Sequence, residues 1–152
     1  MSNNNMMMRR QQRGIALLEA MIATVILAIG LLGTIGLQAR AYSAMNEASM
    51  RAEATIASEK LFGLMSTDMA NLASYAMVAG STPNAVLAKW VDEVKGTATT
   101  KGTIPGAVIS VAVAANSGGT GSTAATVKIS WTRKTGGPAN THTMTSYLSG
   151  SR

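Results

Sequence analysis

Apolar positions along the chain change their spacing four times, and each change predicts an element. Residues 15–37, IALLEAMIATVILAIGLLGTIGL, are apolar throughout except for Glu19, Thr24, Thr34 and three glycines. From Gln38 to about Leu72 nothing breaks a helix, and charged residues return after Leu37. Met45, Ala48, Ala52 and Ile56 form one helical stripe there. Leu61, Leu64, Met65, Met69 and Leu72 form a wider one, as expected of a helix whose second half packs on a domain. Residues 83–95 read as a short amphipathic helix, with Thr82 as N-cap, Pro83 at the first helical position and Gly96 as the stop. Val86, Leu87, Trp90, Val91 and Val94 share its apolar face. Beyond it the period becomes two. Ala107, Ile109, Val111 and Val113 line one strand, Val127, Ile129 and Trp131 a second, and Met144 and Leu148 a third at about 141–148. The glycine-rich run 116–122 and the segment 136–138 are the turns of a small antiparallel meander. The fold class predicted is α+β, a long N-terminal helix covering one face of a small sheet.

Composition sharpens the first element. Charged residues make up 13% of the 152, against roughly 25% in an ordinary soluble domain, and mean hydropathy is +0.18, so a membrane segment is expected. As a helix, residues 15–37 span about 35 Å, enough to cross a bilayer. Arg9, Arg10 and Arg13 precede it with no acid among them, which holds the N-terminus on the cytoplasmic side. Cysteine is absent and His142 is the single histidine, excluding disulfides, thiolate chemistry and multi-histidine metal sites.

Charge is unevenly placed. All seven acids lie at or before residue 93, and from 94 onward the charges are Lys95, Lys101, Lys128, Arg133, Lys134 and Arg152. A calcium site in the sheet is therefore not expected. Nor is nucleic-acid binding, since Trp131 is the sole aromatic flanking Lys128, Arg133 and Lys134. No nucleophile elbow or phosphate-binding loop occurs, so neither an enzyme nor a cofactor is expected. His142 reads as a surface or hydrogen-bonding residue, and Trp90 as core.

Three readings of the N-terminus compete. A cleaved signal peptide would use Ala39-Arg40-Ala41, but its apolar region is normally about 7–15 residues long. A plain anchor explains the length and leaves Glu19 unexplained, although a carboxylate at mid-membrane costs ~2.5–3.5 kcal/mol. The third takes Gly14, Ile15 and Glu19 together. Cleavage after Gly14 creates an α-amine on Ile15 four residues before Glu19, and in a staggered bundle of such helices one subunit's Glu19 meets a neighbour's amine.

The stretch Arg13-Gly14-Ile15-Ala16-Leu17-Leu18-Glu19 resembles the type IV prepilin signature, with isoleucine where phenylalanine is usual and a leader on the long side. Residues 29–38, IGLLGTIGLQ, are similar to the corresponding run of PilV-like minor pilins, and 127–132 resemble a late strand of that family more weakly. The resemblance implies a leader at 1–14, a transmembrane half-helix at 15–37, an amphipathic half at 38–78 and a globular part at 79–152. It further implies cleavage between Gly14 and Ile15 by prepilin peptidase, N-methylation of Ile15, and assembly or registration through Glu19. Gly30, Gly33 and Gly36 would serve close helix packing or a point of helix extension. The implied function is a minor pilin initiating type IV pilus assembly at or near the tip. Its implied partners are other minor pilins, the major pilin and a tip adhesin. The implied location is the inner membrane, single-pass with a periplasmic globular part, and then the pilus. Alternatives are a minor pseudopilin of type II secretion, or a DNA-uptake or adhesive pilin using the basic end.

Overall fold

A computed structural model describes the backbone of residues 4–115, 121–132 and 137–149, and side chains from Ile15 onward within those ranges, residue 115 excepted. Its elements are α1 (Asn4–Thr67), a 3-10 helix (Met69–Tyr75), α2 (Ala85–Lys95), β1 (Val108–Ala115), β2 (Thr123–Trp131) and β3 (Asn140–Leu148). The chain divides into two compact units, Met1–Asn46 and Glu47–Arg152.

Among its described residues the first unit is helix alone. It contains the apolar stretch long enough to cross a membrane, and none of that stretch is buried. The large side chains from Ile15 to Leu37 are each more than half exposed. A helix apolar all round and covered by nothing is suited to lipid or to other helices, not to water.

In the second unit the sheet order is β1-β2-β3, antiparallel throughout, with Val111 opposite Val127 and Val127 opposite Met144. One sheet face supplies Ile109, Val111, Val127, Ile129 and Trp131 to the core. The last turns of α1 pack on that face, and the apolar face of α2 joins the same buried core. This is the α+β, pilin-like architecture expected. Among the described residues the outer edge of β1 is tied by a single bridge, in which Met77 N–H donates to Val111 O at 2.8 Å and Val111 N–H to Met77 O at 2.9 Å.

Three local expectations are corrected. The helix expected to run to about Leu72 ends at Thr67. Ser66 and Thr67 hydroxyls donate to Gly63 O and Leu64 O, and Asp68 then leaves helical geometry at φ −128°, ψ 50°. The Asp68 carboxylate accepts from Asn71 Nδ2 at 2.7 Å and Tyr75 Oη at 3.2 Å, fixing the tighter 3-10 turns of Met69–Tyr75. Second, the stripe is displaced: Met45, Ala48, Ala52 and Ile56 are exposed, while Ala54, Ala57, Ser58, Leu61, Phe62 and Met65 are buried. Leu64, expected in the wider stripe, and Val86, expected on the face of α2, are also exposed. Third, the N-cap of α2 is Asn84, whose Oδ1 accepts from Leu87 N–H at 3.1 Å, and Thr82 caps nothing.

The remaining expectations agree. Leu87, Trp90, Val91 and Val94 are buried, and Trp90 Nε1 donates to Ala57 O at 2.9 Å, pinning α2 to α1. Gly96 ends α2 at φ 83°. Its backbone lies so close to Gly102 that a Cβ on either glycine would overlap the other's chain. Most of the turn at 116–122 and residues 133–136 lie outside the described residues.

Candidate functional site

The site expected at the N-terminus is built on one uninterrupted helix. Gly14 and Ile15 are both helical, so the expected cleavage point lies inside α1 and not in an open loop. Ile15 and Glu19 are four residues apart and therefore lie on the same side of the helix, one turn from each other. Leu18, Ile22, Ala23 and Ile26 join them along a shallow apolar surface. The structure thus brings Ile15 and Glu19 together as their spacing requires.

Hydrogen bonding distinguishes Glu19 from every other polar side chain in this stretch. Thr24 Oγ1 donates to Met21 O and Thr34 Oγ1 to Leu31 O, each at 2.8 Å, so both hydroxyls are satisfied within their own helix. Glu19 is exposed, and among the described residues its carboxylate has neither a hydrogen bond nor an ion pair. A free carboxylate on an apolar helix is tolerated in water and costly in lipid. Gly30, Gly33 and Gly36 have nothing within 4 Å of where a Cβ would stand, so no packing within the chain calls for them.

Residues 9–35 match the prokaryotic N-terminal methylation motif. The chain carries a prepilin-type motif. That span takes in Gly14, Ile15 and Glu19, and it supports a type IV pilin-like or pseudopilin-like protein. The motif implies processing by prepilin peptidase and assembly with other pilins. The motif and the apolar helix together point to membrane anchoring and incorporation into a pilus. No curated protein and no solved structure matches the chain.

The other candidates fare differently. His142 is half-buried on β3, with Nε2 3.5 Å from Thr55 Oγ1 of α1, so it is a contact between sheet and helix. Trp131 is 2% exposed and offers no stacking surface beside Lys128. Its Nε1 is buried without a partner, which nothing in the structure explains. Arg133, Lys134 and Arg152 lie outside the described residues, as do the side chains of Arg9, Arg10 and Arg13.

Sequence reasoning missed the polar links of the globular unit. Lys60 Nζ pairs with both carboxylate oxygens of Glu93, joining α1 to α2 across 33 residues of sequence. Asp68 meets Tyr75, which is buried, and burial raises the phenol pKa above its ordinary value. The hydrogen bond to Asp68 and the charge of that carboxylate raise it further. Opposite charges distant in sequence leave no periodic signal, so the Lys60–Glu93 link was not foreseeable.

Proposed function

We propose that the chain is a minor pilin subunit that takes part in initiating type IV pilus assembly at or near the tip. Prepilin peptidase cuts between Gly14 and Ile15 and Ile15 is N-methylated. The helix then remains in the inner membrane, N-terminus cytoplasmic and globular part periplasmic, until the subunit is drawn into the filament beside other minor pilins, the major pilin and a tip adhesin. The observation carrying this reading is Glu19, without a partner among the described residues, one turn from Ile15 and inside a matched methylation motif. A carboxylate placed so has use for a cation along the axis of a helix bundle, and cleavage supplies one as the α-amine of a neighbouring subunit. Pairing the two removes two charges that are each expensive in a low-dielectric environment.

N-terminal sequencing and intact mass of the protein recovered from membranes test the processing step. The expected product begins at Ile15 and is one methyl group heavier than the bare chain. A product beginning at Tyr42 makes Ala39-Arg40-Ala41 the cleavage site and ends the pilin reading. Gene deletion tests the role: surface pili are expected to fall while protein secretion continues, and the reverse pattern assigns the chain to type II secretion.

A further inference from the structure

Between α1 and α2 the globular unit has a cleft of about 70 Å³. Ile56, Ala57, Trp90 and Val94 make its apolar wall, and Glu53, Lys60 and Glu93 stand around it. Lys60 is already engaged by Glu93. Glu53 is half-buried, and among the described residues its carboxylate has no hydrogen-bond or ion-pair partner. Two carboxylates against one ammonium leave the cleft with one uncompensated negative charge. Ile56 beside it is 59% exposed, high for a large aliphatic side chain. A narrow slot with an apolar wall and an acidic margin suits a lysine side chain, whose alkyl stem lies on the wall while the ammonium meets the carboxylates.

The chain itself carries the complementary surface. Residues 47–95 hold four cations (Arg51, Lys60, Lys89, Lys95) and six acids (Glu47, Glu53, Glu59, Asp68, Asp92, Glu93), 4 − 6 = −2. Residues 96–152 hold five cations and no acid, +5. Of those five, Lys101 and Lys128 lie among the described residues and both are exposed. Lys128 alternates with the buried Val127 and Ile129, so it stands on the sheet face turned away from α1 and cannot reach its own cleft.

We propose that this cleft receives Lys101 or Lys128 of a second copy of the chain. Giver and receiver are different parts of the surface, so the contact is heterologous and can propagate from copy to copy instead of closing a two-fold dimer. The inference stands on residues 47–152 and does not depend on the processing of the N-terminus, which sequencing of the mature chain tests separately.

The experiment mixes unlabelled and nitrogen-15-labelled full-length protein in detergent and treats it with a zero-length carbodiimide, which joins a carboxylate to an amine in direct contact. Mass spectrometry is expected to find mixed-isotope links from Glu53 or Glu93 to Lys101 or Lys128. Glu53→Gln should lower the yield of the Glu93 link several-fold, and so should high salt, because attraction and not apolar contact aligns the pair. Glu53→Lys protein alone, and Lys101→Glu/Lys128→Glu protein alone, each present like charges between copies and should not link residue 53 to residue 101 or 128. An equal mixture of the two presents opposite charges and should link unlike copies. A chain carrying all three changes restores opposite charges and should link again between residue 53 and residue 101 or 128. Links confined to single copies, a Glu93 link of unchanged yield in Glu53→Gln, or failure of the triple variant to link would each overturn the proposal.

Discussion

At the residue scale, Asp68 is the pivot between α1 and the 3-10 helix. Its carboxylate accepts from Asn71 Nδ2 and from the Tyr75 phenol, and no backbone signal in the sequence marks the place. The Tyr75 pKa lies above its unfolded value of about 10, chiefly because the ring is buried. The folded state therefore holds the phenolic proton more tightly than the unfolded chain does. That contribution to stability is fully present below about pH 10 and is lost as pH rises through the folded-state value. Urea unfolding of the detergent-solubilised protein from about pH 8 to about pH 11 should show wild type losing stability faster than Tyr75→Phe at the alkaline end. Asp68→Asn should reduce that alkaline loss less than Tyr75→Phe does, since desolvation remains when the charge is gone. Gly102 gives a second residue-scale prediction. A Cβ there would overlap the backbone of Val94, Lys95 and Gly96, none of which can rotate away. Gly102→Ala should therefore cost roughly 1–3 kcal/mol, as overpacking does. Gly80→Ala, at φ 80° but in open space, should cost less, about 1 kcal/mol. Thermal unfolding of the two variants side by side checks the order.

At the element scale, what could be read from sequence tracked the strength of the periodic signal. The three strands and the face of α2 carrying Leu87, Trp90, Val91 and Val94 stood out because large apolar residues recur at strict spacing there. Register within α1 did not. Met45 and Ile56 are the bulkier side chains and draw the eye, yet the helix turns Ala54, Ala57 and Ser58 inward. Small residues allow α1 to approach α2 closely enough for Trp90 Nε1 to reach the carbonyl of Ala57. Ser58 is buried without penalty because its hydroxyl donates to Ala54 O at 2.8 Å. Hydrophobicity alone cannot report that a close helix crossing favours small side chains over large ones. The cap of α2 is Asn84, on the far side of Pro83 from the Thr82 that the sequence pointed to. Asn84 satisfies the helix with Oδ1 and, with Nδ2, also donates to Ser74 O at the end of the preceding turn. Its amide thus works in both directions, which a threonine hydroxyl at 82 is not placed to do. Asn84→Ala should cost at least about 1 kcal/mol, whereas Thr82→Ala should be nearly neutral, measured by denaturant midpoints at constant slope.

At the scale of the whole molecule, the N-terminal site was legible because it is linear: Gly14, Ile15 and Glu19 lie on one helix, and spacing alone sets their geometry. The cleft between α1 and α2 was not, since it needs residues 53, 60 and 93 brought together by the fold. Glu19 carries the last prediction. Removing its charge makes the segment from Ile15 to Leu37 more apolar, so Glu19→Ala and Glu19→Gln should both insert into the membrane as wild type does. Glutamine keeps the shape and the hydrogen-bonding capacity but not the attraction to an α-amine. If registration depends on that attraction, Glu19→Gln should fail like alanine, with the subunit in sheared surface filaments falling several-fold while the membrane pool rises. Glu19→Asp retains the charge on a side chain one methylene shorter and should fall between wild type and Gln. Thr24→Val, which removes a hydroxyl already satisfied by Met21 O, should assemble normally and shows that loss of polarity in this helix is not itself the defect. The readouts are the subunit's abundance in sheared filaments, its abundance in membranes and the methylation state of Ile15 by mass spectrometry. Should Glu19→Gln assemble at the wild-type level while Ile15 goes unmethylated, the carboxylate serves the methyl transfer and takes no part in registration.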